Sequence, residues 1–180
     1  MLTTAGGSVR SMLQFETALG TCGITWSEAG VTGVLLPGTR GLRRRPGPEP
    51  DPVPVAVRDA QTAITALLHG NHTDLRSVVL DETGIDPFRR SVYAAAREIP
   101  PGATASYGDI ARAIGKPDAP RAVGHALGEN PFPIVVPCHR VLSASGALHG
   151  FSAPGGIVTK RRMLEIERAP GFTQLSLLQC

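Results

Sequence analysis

Long apolar runs are absent from this 180-residue chain, and none approaches the roughly 18 residues that a membrane-spanning helix requires. The N-terminus has polar residues and Glu16 where a signal peptide would be basic and then apolar, so a soluble, cytoplasmic protein with no membrane partner is expected. Cysteine is scarce. Cys22, Cys138 and Cys180 are odd in number and offer no pair at metal-ligand spacing, which argues against a disulfide framework or a zinc finger and for free thiols in a reducing compartment. Charge of one sign is also lacking, since the formal net charge is only +3, too small to identify a nucleic-acid partner by itself. It is unevenly spread, however: residues 1–83 carry 7 Lys/Arg against 8 Asp/Glu, and residues 84–180 carry 11 against 7. An anionic partner would therefore meet the second half.

What is present is 42% hydrophobic residues, enough core for one sizeable domain or two small ones. Between Met12 and Leu36 the pattern predicts two or three antiparallel strands, with Thr21–Trp26 and Val31–Leu36 β-prone and Ser27-Glu28-Ala29-Gly30 as a turn. The stretch Gly38–Pro54 holds Arg43-Arg44-Arg45 and then five prolines from Pro46 to Pro54, so it reads as an exposed loop. Val57, Ile64, Leu67 and Leu68 predict a helix over Val55–Leu68 ending at Gly70-Asn71, and Arg76–Leu80 is a candidate strand. A domain boundary near Asp81–Asp86 gives an N-terminal unit, 1–83, and a C-terminal unit, 84–180.

Beyond the boundary the periodicity becomes helical, and the class expected is α+β. Phe88, Val92, Ala95, Ala96 and Ile99 share one face of a helix that stops at Pro100-Pro101-Gly102. Ser106-Tyr107-Gly108-Asp109 has the form of a capping box opening a helix to about Ile114. After Gly115, Asp118 is placed to cap a second helix whose first turn accepts Pro120. Two short helices joined by a tight turn have the outline of a helix-turn-helix, and equally of an ordinary helical hairpin. In the second, Val123 and Leu127 face the core, Arg121 and His125 share another edge, and Ala122, Gly124, Ala126 and Gly128 keep the remaining surface small.

The sharpest signal is Asn130-Pro131-Phe132-Pro133-Ile134-Val135-Val136-Pro137-Cys138-His139-Arg140-Val141. A buried, β-like run would deliver Cys138 beside an imidazole and a guanidinium that favour the reactive thiolate. The alternative is an inert core thiol. Neighbours on an extended chain point to opposite sides, so His139 would reach Cys138 through a bent backbone or a bridging water. The last helix, about Gly156–Arg168, places Lys160, Met163, Leu164 and Glu167 on one face. A carboxylate at the end of an apolar stripe needs a partner, which makes Glu167 the candidate to orient His139, whereas Glu165 lies on another face.

Pro137-Cys138-His139-Arg140-Val141, Asn130-Pro131, Arg121-Ala122-Val123-Gly124 and Ser106-Tyr107-Gly108-Asp109-Ile110-Ala111, in this order and spacing, closely resemble the O6-alkylguanine-DNA alkyltransferases over about residues 86–168. The pattern from Leu19 to Leu36 is similar to that family's small ribonuclease-H-like domain. The resemblance implies irreversible, single-turnover transfer of an alkyl group from O6-alkylguanine in duplex DNA, with O4-alkylthymine as a further substrate, onto Cys138. It implies activation by His139 through a water, with Glu167 holding the imidazole, and Tyr107 giving a proton to the departing guanine. Arg121 would fill the space left by a flipped nucleotide, with Ala122, Gly124 and Ala126 on a helix in the minor groove. Asn130 would brace the turn to the cysteine, and Val141, Ser152, Phe151 and Pro133 would line the substrate pocket. A monomer acting without cofactor or metal is expected. Phe151 stands where many members have tyrosine, the Gly150–Gly156 loop is longer than its shortest versions, and Glu129 puts a negative charge beside the DNA helix. The competing readings are an alkyltransferase-like protein that binds damage without repairing it, a Cys-His-Glu thiol hydrolase, and a DNA-binding regulator, which would leave Cys138 without a role.

Overall fold

The computed structural model describes residues 12–42, 49–50, 52–148 and 150–172. Arg43-Arg44-Arg45, Pro46 and Pro48 of the proline-rich loop, and Cys180, lie outside them. Three antiparallel strands come first, β1 (Met12–Thr17), β2 (Gly20–Ser27) and β3 (Gly30–Leu35), in the order β1-β2-β3. Alternation buries Leu13 and Phe15 in β1 and Cys22 and Ile24 in β2, while a register shift opposite Thr25 and Trp26 lets Val31 and Val34 of β3 both be buried. Helix α1 (Val55–Leu68) supplies Val57, Ala60, Ile64, Leu67 and Leu68 as its buried face and matches the predicted span. Gly30 closes the β2–β3 hairpin at φ +146°, where a β-carbon would lie 2.7 Å from the Val79 carbonyl.

The strand expected over Arg76–Leu80 does not form. Pairing is confined to Val31, which bonds Val79 and Asp81 through its backbone, and Leu80 makes an isolated bridge. The physical reason is Arg97: its Nη2 donates to the carbonyls of Leu75, Arg76 and Val78 at 3.1, 2.8 and 2.8 Å, drawing the segment into a turn and engaging acceptors that a ladder would use.

Helix α2 (Pro87–Arg97) begins at Asp86, whose carboxylate accepts from the Arg89 amide. Its buried face is Val92, Tyr93 and Ala96, with Phe88 and Ala95 only partly covered. Tyr93, which lies off the apolar face expected for this helix, is fully buried; its hydroxyl donates to the Ala126 carbonyl at 3.1 Å, and its ring meets Phe132 edge-on. Ala105–Ser106 (β4) pairs in parallel with Val141–Leu142 (β5), fastening the start of α3 (Tyr107–Ala113) to the chain just after the cysteine. The capping box of α3 forms as predicted, with Ser106 and Asp109 bonding each other's backbone amides. Helix α4 (Pro120–Gly128) instead starts at Ala119 with no side-chain cap, because Pro120 takes the first helical position and Asp118 stands one residue too far out. Helix α5 runs over Gly156–Ile166, and Glu167 is its C-cap rather than an interior residue.

The main buried cluster is continuous from Leu13 in β1 to Met163 in α5, so the sheet and the later helices share one core. The Val34 amide donates to the Pro131 carbonyl at 2.9 Å, which docks β3 directly onto the segment leading to the cysteine. No helix among the described residues is long and apolar enough to cross a membrane.

Gly30→Ala should destabilise the protein by about 1–3 kcal/mol, because both the positive φ and the Val79 carbonyl oppose a side chain. A lowered urea midpoint at unchanged slope would show this, and an unchanged midpoint would contradict it.

Candidate active site

Three prolines and one reversed residue shape the segment before Cys138. Pro131, Pro133 and Pro137 have no amide to donate, and Ile134 sits at φ +77°, unusual for a β-branched residue. The predicted extended run is therefore replaced by a tight turn, in which the Val136 amide donates to the Phe132 carbonyl and the Cys138 amide to the Val136 carbonyl, both at 2.8 Å. Cys138–Arg140 form a single 3₁₀ turn. Asn130 braces it from inside: Oδ1 accepts from the Phe132 amide at 2.9 Å, while Nδ2 donates to the Val136 carbonyl at 2.9 Å and approaches Cys138 Sγ at 3.4 Å.

Cys138 is 9% exposed at the base of a cavity of about 880 Å³, whose lining includes Tyr107, Arg121, Gly124, Phe151 and Ser152. Burial pushes the thiol pKa up, opposed by the Asn130 hydrogen bond, the Lys160 ammonium, and the amides of Cys138 and His139. The guanidinium expected to help is engaged elsewhere. Arg140 turns inward, its Nε donating to Glu167 Oε2 and its Nη2 to Glu167 Oε1, each at 2.8 Å, with Nη1 on the Ile99 carbonyl at 2.6 Å.

Glu167 is 1% exposed and also receives His139 Nε2 at 2.8 Å and the Gly102 amide at 3.3 Å. Gly102, at φ +79°, leaves no room for a side chain, since its β-carbon would stand 2.9 Å from the Glu167 carbonyl. Burial alone would raise the Glu167 carboxyl pKa, but His139 and Arg140 outweigh it and hold the group well below the usual carboxylate range. For the wholly buried His139, burial depresses the pKa despite Glu167, so the ring is neutral at neutral pH. An ionised carboxylate facing Nε2 places the ring's proton there, leaving the lone pair on Nδ1, which is buried without a hydrogen-bond partner among the described residues. His139 and Cys138 are therefore not directly bonded, and a proton passing between them needs an intermediary.

In sequence Lys160 stands out only as a member of the last helix's apolar stripe. It is 1% exposed, its Nζ donates to the Val141 carbonyl at 2.6 Å and lies 5.9 Å from the centre of the Tyr107 ring. Burial lowers its pKa while the neighbouring Cys138 thiolate would raise it. The signal was available, because a lysine among buried apolar positions demands partners as much as Glu167 does.

The other predicted positions divide. Arg121 and Ala122 are exposed on α4, and Gly124 faces the Tyr107 ring, where a β-carbon would sit 3.7 Å away. Ala126 is 2% exposed against α2, so its side chain belongs to the core and presents no surface to a nucleic acid. Val141 is fully buried, with its carbonyl already accepting from Lys160. Ser152 lines the cavity, but its hydroxyl donates to the Gly128 carbonyl at 2.7 Å. Pro133 lies off this cavity, in a second one that also reaches Cys138, Phe151 and Ser152. Glu129 is engaged by Arg89 at 3.1 Å, with His125 at 3.8 Å. Among the described residues no group of three His, Cys, Asp or Glu side chains is arranged to hold a metal.

A cysteine backed by a buried imidazole–carboxylate pair is an arrangement able to support a thiol nucleophile. Residues 87–169 match the family model described as the DNA binding domain of 6-O-methylguanine DNA methyltransferase. The methylated-DNA–protein-cysteine methyltransferase of Mycobacterium tuberculosis is 46% identical over 126 residues, 70% of this chain and 74% of that protein. That of Methanothermobacter thermautotrophicus is 35% identical over 81% of this chain and 78% of its own length. The crystal structure of Mycobacterium tuberculosis OGT in complex with DNA superposes with a TM-score of 0.70 at 36% identity, covering 89% of this chain and 96% of that one. The chain belongs to the methylated-DNA–protein-cysteine methyltransferase family, and its mixed α/β fold is that of the OGT structures.

The two depressed pKa values set the pH dependence of folding. Both groups bind a proton less readily folded than unfolded, so stability is fully present above about pH 6.5 and is lost on acidification, first as unfolded His139 protonates and then below about pH 4.3 through Glu167. Urea titrations should therefore show stability falling between about pH 7 and 5, and His139→Gln should flatten that interval. A wild-type curve already flat there would contradict a neutral, buried His139.

Proposed function

We propose that this protein repairs DNA by direct reversal, with Cys138 Sγ taking the alkyl group from O6 of guanine in duplex DNA and keeping it. The observation that carries this reading is the placement of Sγ between the cavity beside α3 and α4 and the buried His139–Glu167–Arg140 chain. The thiol proton passes to His139 Nδ1 through a water, and Glu167 stabilises the imidazolium so formed. Sγ then forms a bond to the alkyl carbon as the carbon–O6 bond breaks, and Tyr107 hands a proton to the departing guanine. Burial keeps the Tyr107 hydroxyl protonated until then. The thioether has no second nucleophile to release it, so each molecule acts once, and the protein's own side chains suffice without a cofactor. The same displacement extends to O4-alkylthymine.

A base stacked inside a duplex is out of reach of Sγ, so the nucleotide must turn out of the helix. α3 and α4 act as a helix-turn-helix, with α4 in the minor groove, its small residues Ala122, Gly124 and Gly128 permitting close approach and Arg121 occupying the vacated stack. The units 1–83, ribonuclease-H-like, and 84–180 meet at the core, and one monomer in the cytoplasm is the acting species.

Mixing the protein with excess duplex containing one O6-methylguanine should add the mass of one methylene per molecule, stopping at one equivalent and absent from Cys138→Ala. Tight binding with no gain in mass would favour a damage-binding protein, and neither binding nor reaction would overturn the reading. Arg121→Ala should slow transfer from duplex by about 100-fold, the scale of a few kcal/mol of base-flipping energy, yet leave transfer from a single-stranded oligonucleotide much less affected. Equal losses on both substrates would remove Arg121 from that role.

A further inference from the structure

Two guanidiniums border the cavity over Cys138. Arg112 comes from the last turn of α3 and Arg121 from the first turn of α4, and the rest of the lining holds no lysine, arginine, aspartate or glutamate. On the repair reading Arg121 is drawn into the duplex, where it occupies the vacated stack. Arg112 is then a cation beside a cavity whose guest, an O6-alkylguanine base, is neutral.

Its pairing with Asp109 does not account for it. Both side chains are exposed, Arg112 by 63% and Asp109 by 51%, and an ion pair so open to water contributes little to stability. Asp109 has a separate task in the capping box, where its Oδ2 accepts from the Ser106 amide and hydroxyl, each at 2.7 Å. It engages Nη2 of Arg112, one end of a planar fork of several N–H donors. Gly108, four residues earlier, shows where that fork lies. Nη1 of Arg112 is 3.5 Å from the place a β-carbon of Gly108 would take, so the guanidinium folds back along α3 toward Tyr107 and the mouth of the cavity.

The charged part of a flipped nucleotide is its backbone. When the base has entered the cavity, the sugar joins it to two phosphodiesters across only a few bonds, which holds them at the mouth. We propose that Arg112 binds a phosphodiester of the extrahelical nucleotide through its guanidinium fork and so retains the flipped state. This inference rests on the repair reading above. Arg121 acts on the gap in the duplex, and Arg112 acts on the nucleotide that left it.

Single strands separate the two roles. With no stack to fill, Arg121 matters little there, but the nucleotide still carries its phosphates. Arg112→Ala should therefore slow single-turnover transfer by about tenfold from duplex and single-stranded O6-methylguanine alike, and Arg112→Lys should recover part of the loss. Arg58→Ala, at another exposed arginine paired with a carboxylate but on α1, should leave both rates unchanged. The deciding measurement replaces each phosphate flanking the modified nucleotide by a neutral methylphosphonate. At one position this should slow the wild type about tenfold and leave Arg112→Ala unchanged, because the partner is already gone. The comparison is made within each protein, so damage to folding does not imitate it. Equal slowing of both proteins at every flanking position, or an Arg112→Ala rate equal to wild type, overturns the phosphate contact and leaves repair standing. A loss confined to duplex overturns it as well and groups Arg112 with Arg121. Absence of transfer by the wild type from either substrate sinks the repair reading and the phosphate contact with it.

Discussion

The buried carboxylate of Glu167 is the interaction on which the rest of the site depends. It accepts from His139, Arg140 and the Gly102 amide, and thereby ties the end of α5 to the 3₁₀ turn of the cysteine and to the turn after α2. Taking a carboxylate and a guanidinium out of water is costly, and leaving either alone costs about 3–5 kcal/mol, so the three elements hold together or not at all. The same bonds decide the tautomer of His139 and leave Nδ1 as the ring's available base. Stability and the proposed chemistry thus draw on one set of contacts.

Around that anchor the thiol is held in a balance of opposing effects. Burial disfavours the thiolate, while Asn130, Lys160 and two backbone amides favour it. A free thiol exposed to water would ionise more readily but would also meet other electrophiles. In the proposed reaction, a nearly buried sulfur whose activation awaits proton transfer to His139 suits a protein that would react once. Cys22 has less help: burial in β2 raises its thiol pKa to about 11, and the Thr17 hydrogen bond offsets that only in part.

The sheet contributes more than a scaffold. By bonding Pro131 through the Val34 amide, β3 presses against the cysteine segment and forms the outer wall of the second cavity. The Gly150–Gly156 loop brings Pro154 over Gly38 and closes the other side. Features that read in sequence as unrelated, a strand near one end and a loop near the other, meet at the sulfur.

Local and periodic signals were legible in the chain by itself. The span of α1, the capping box of α3, the β2–β3 hairpin and the candidates Cys138, His139 and Glu167 follow from spacing and residue type, because caps, turns and apolar stripes act within a few residues. What tertiary structure alone decided lies at contacts between segments far apart. Arg97 gathers three carbonyls and unmakes a strand, Asn130 and Ile134 turn an apparently extended run into a bend, and Arg140 swings from the thiol to Glu167. Lys160 likewise finds the Val141 carbonyl and the neighbourhood of Tyr107 only when α5 packs against β5. A charged side chain must be satisfied wherever the fold leaves it, and which group satisfies it depends on distances that sequence spacing does not encode.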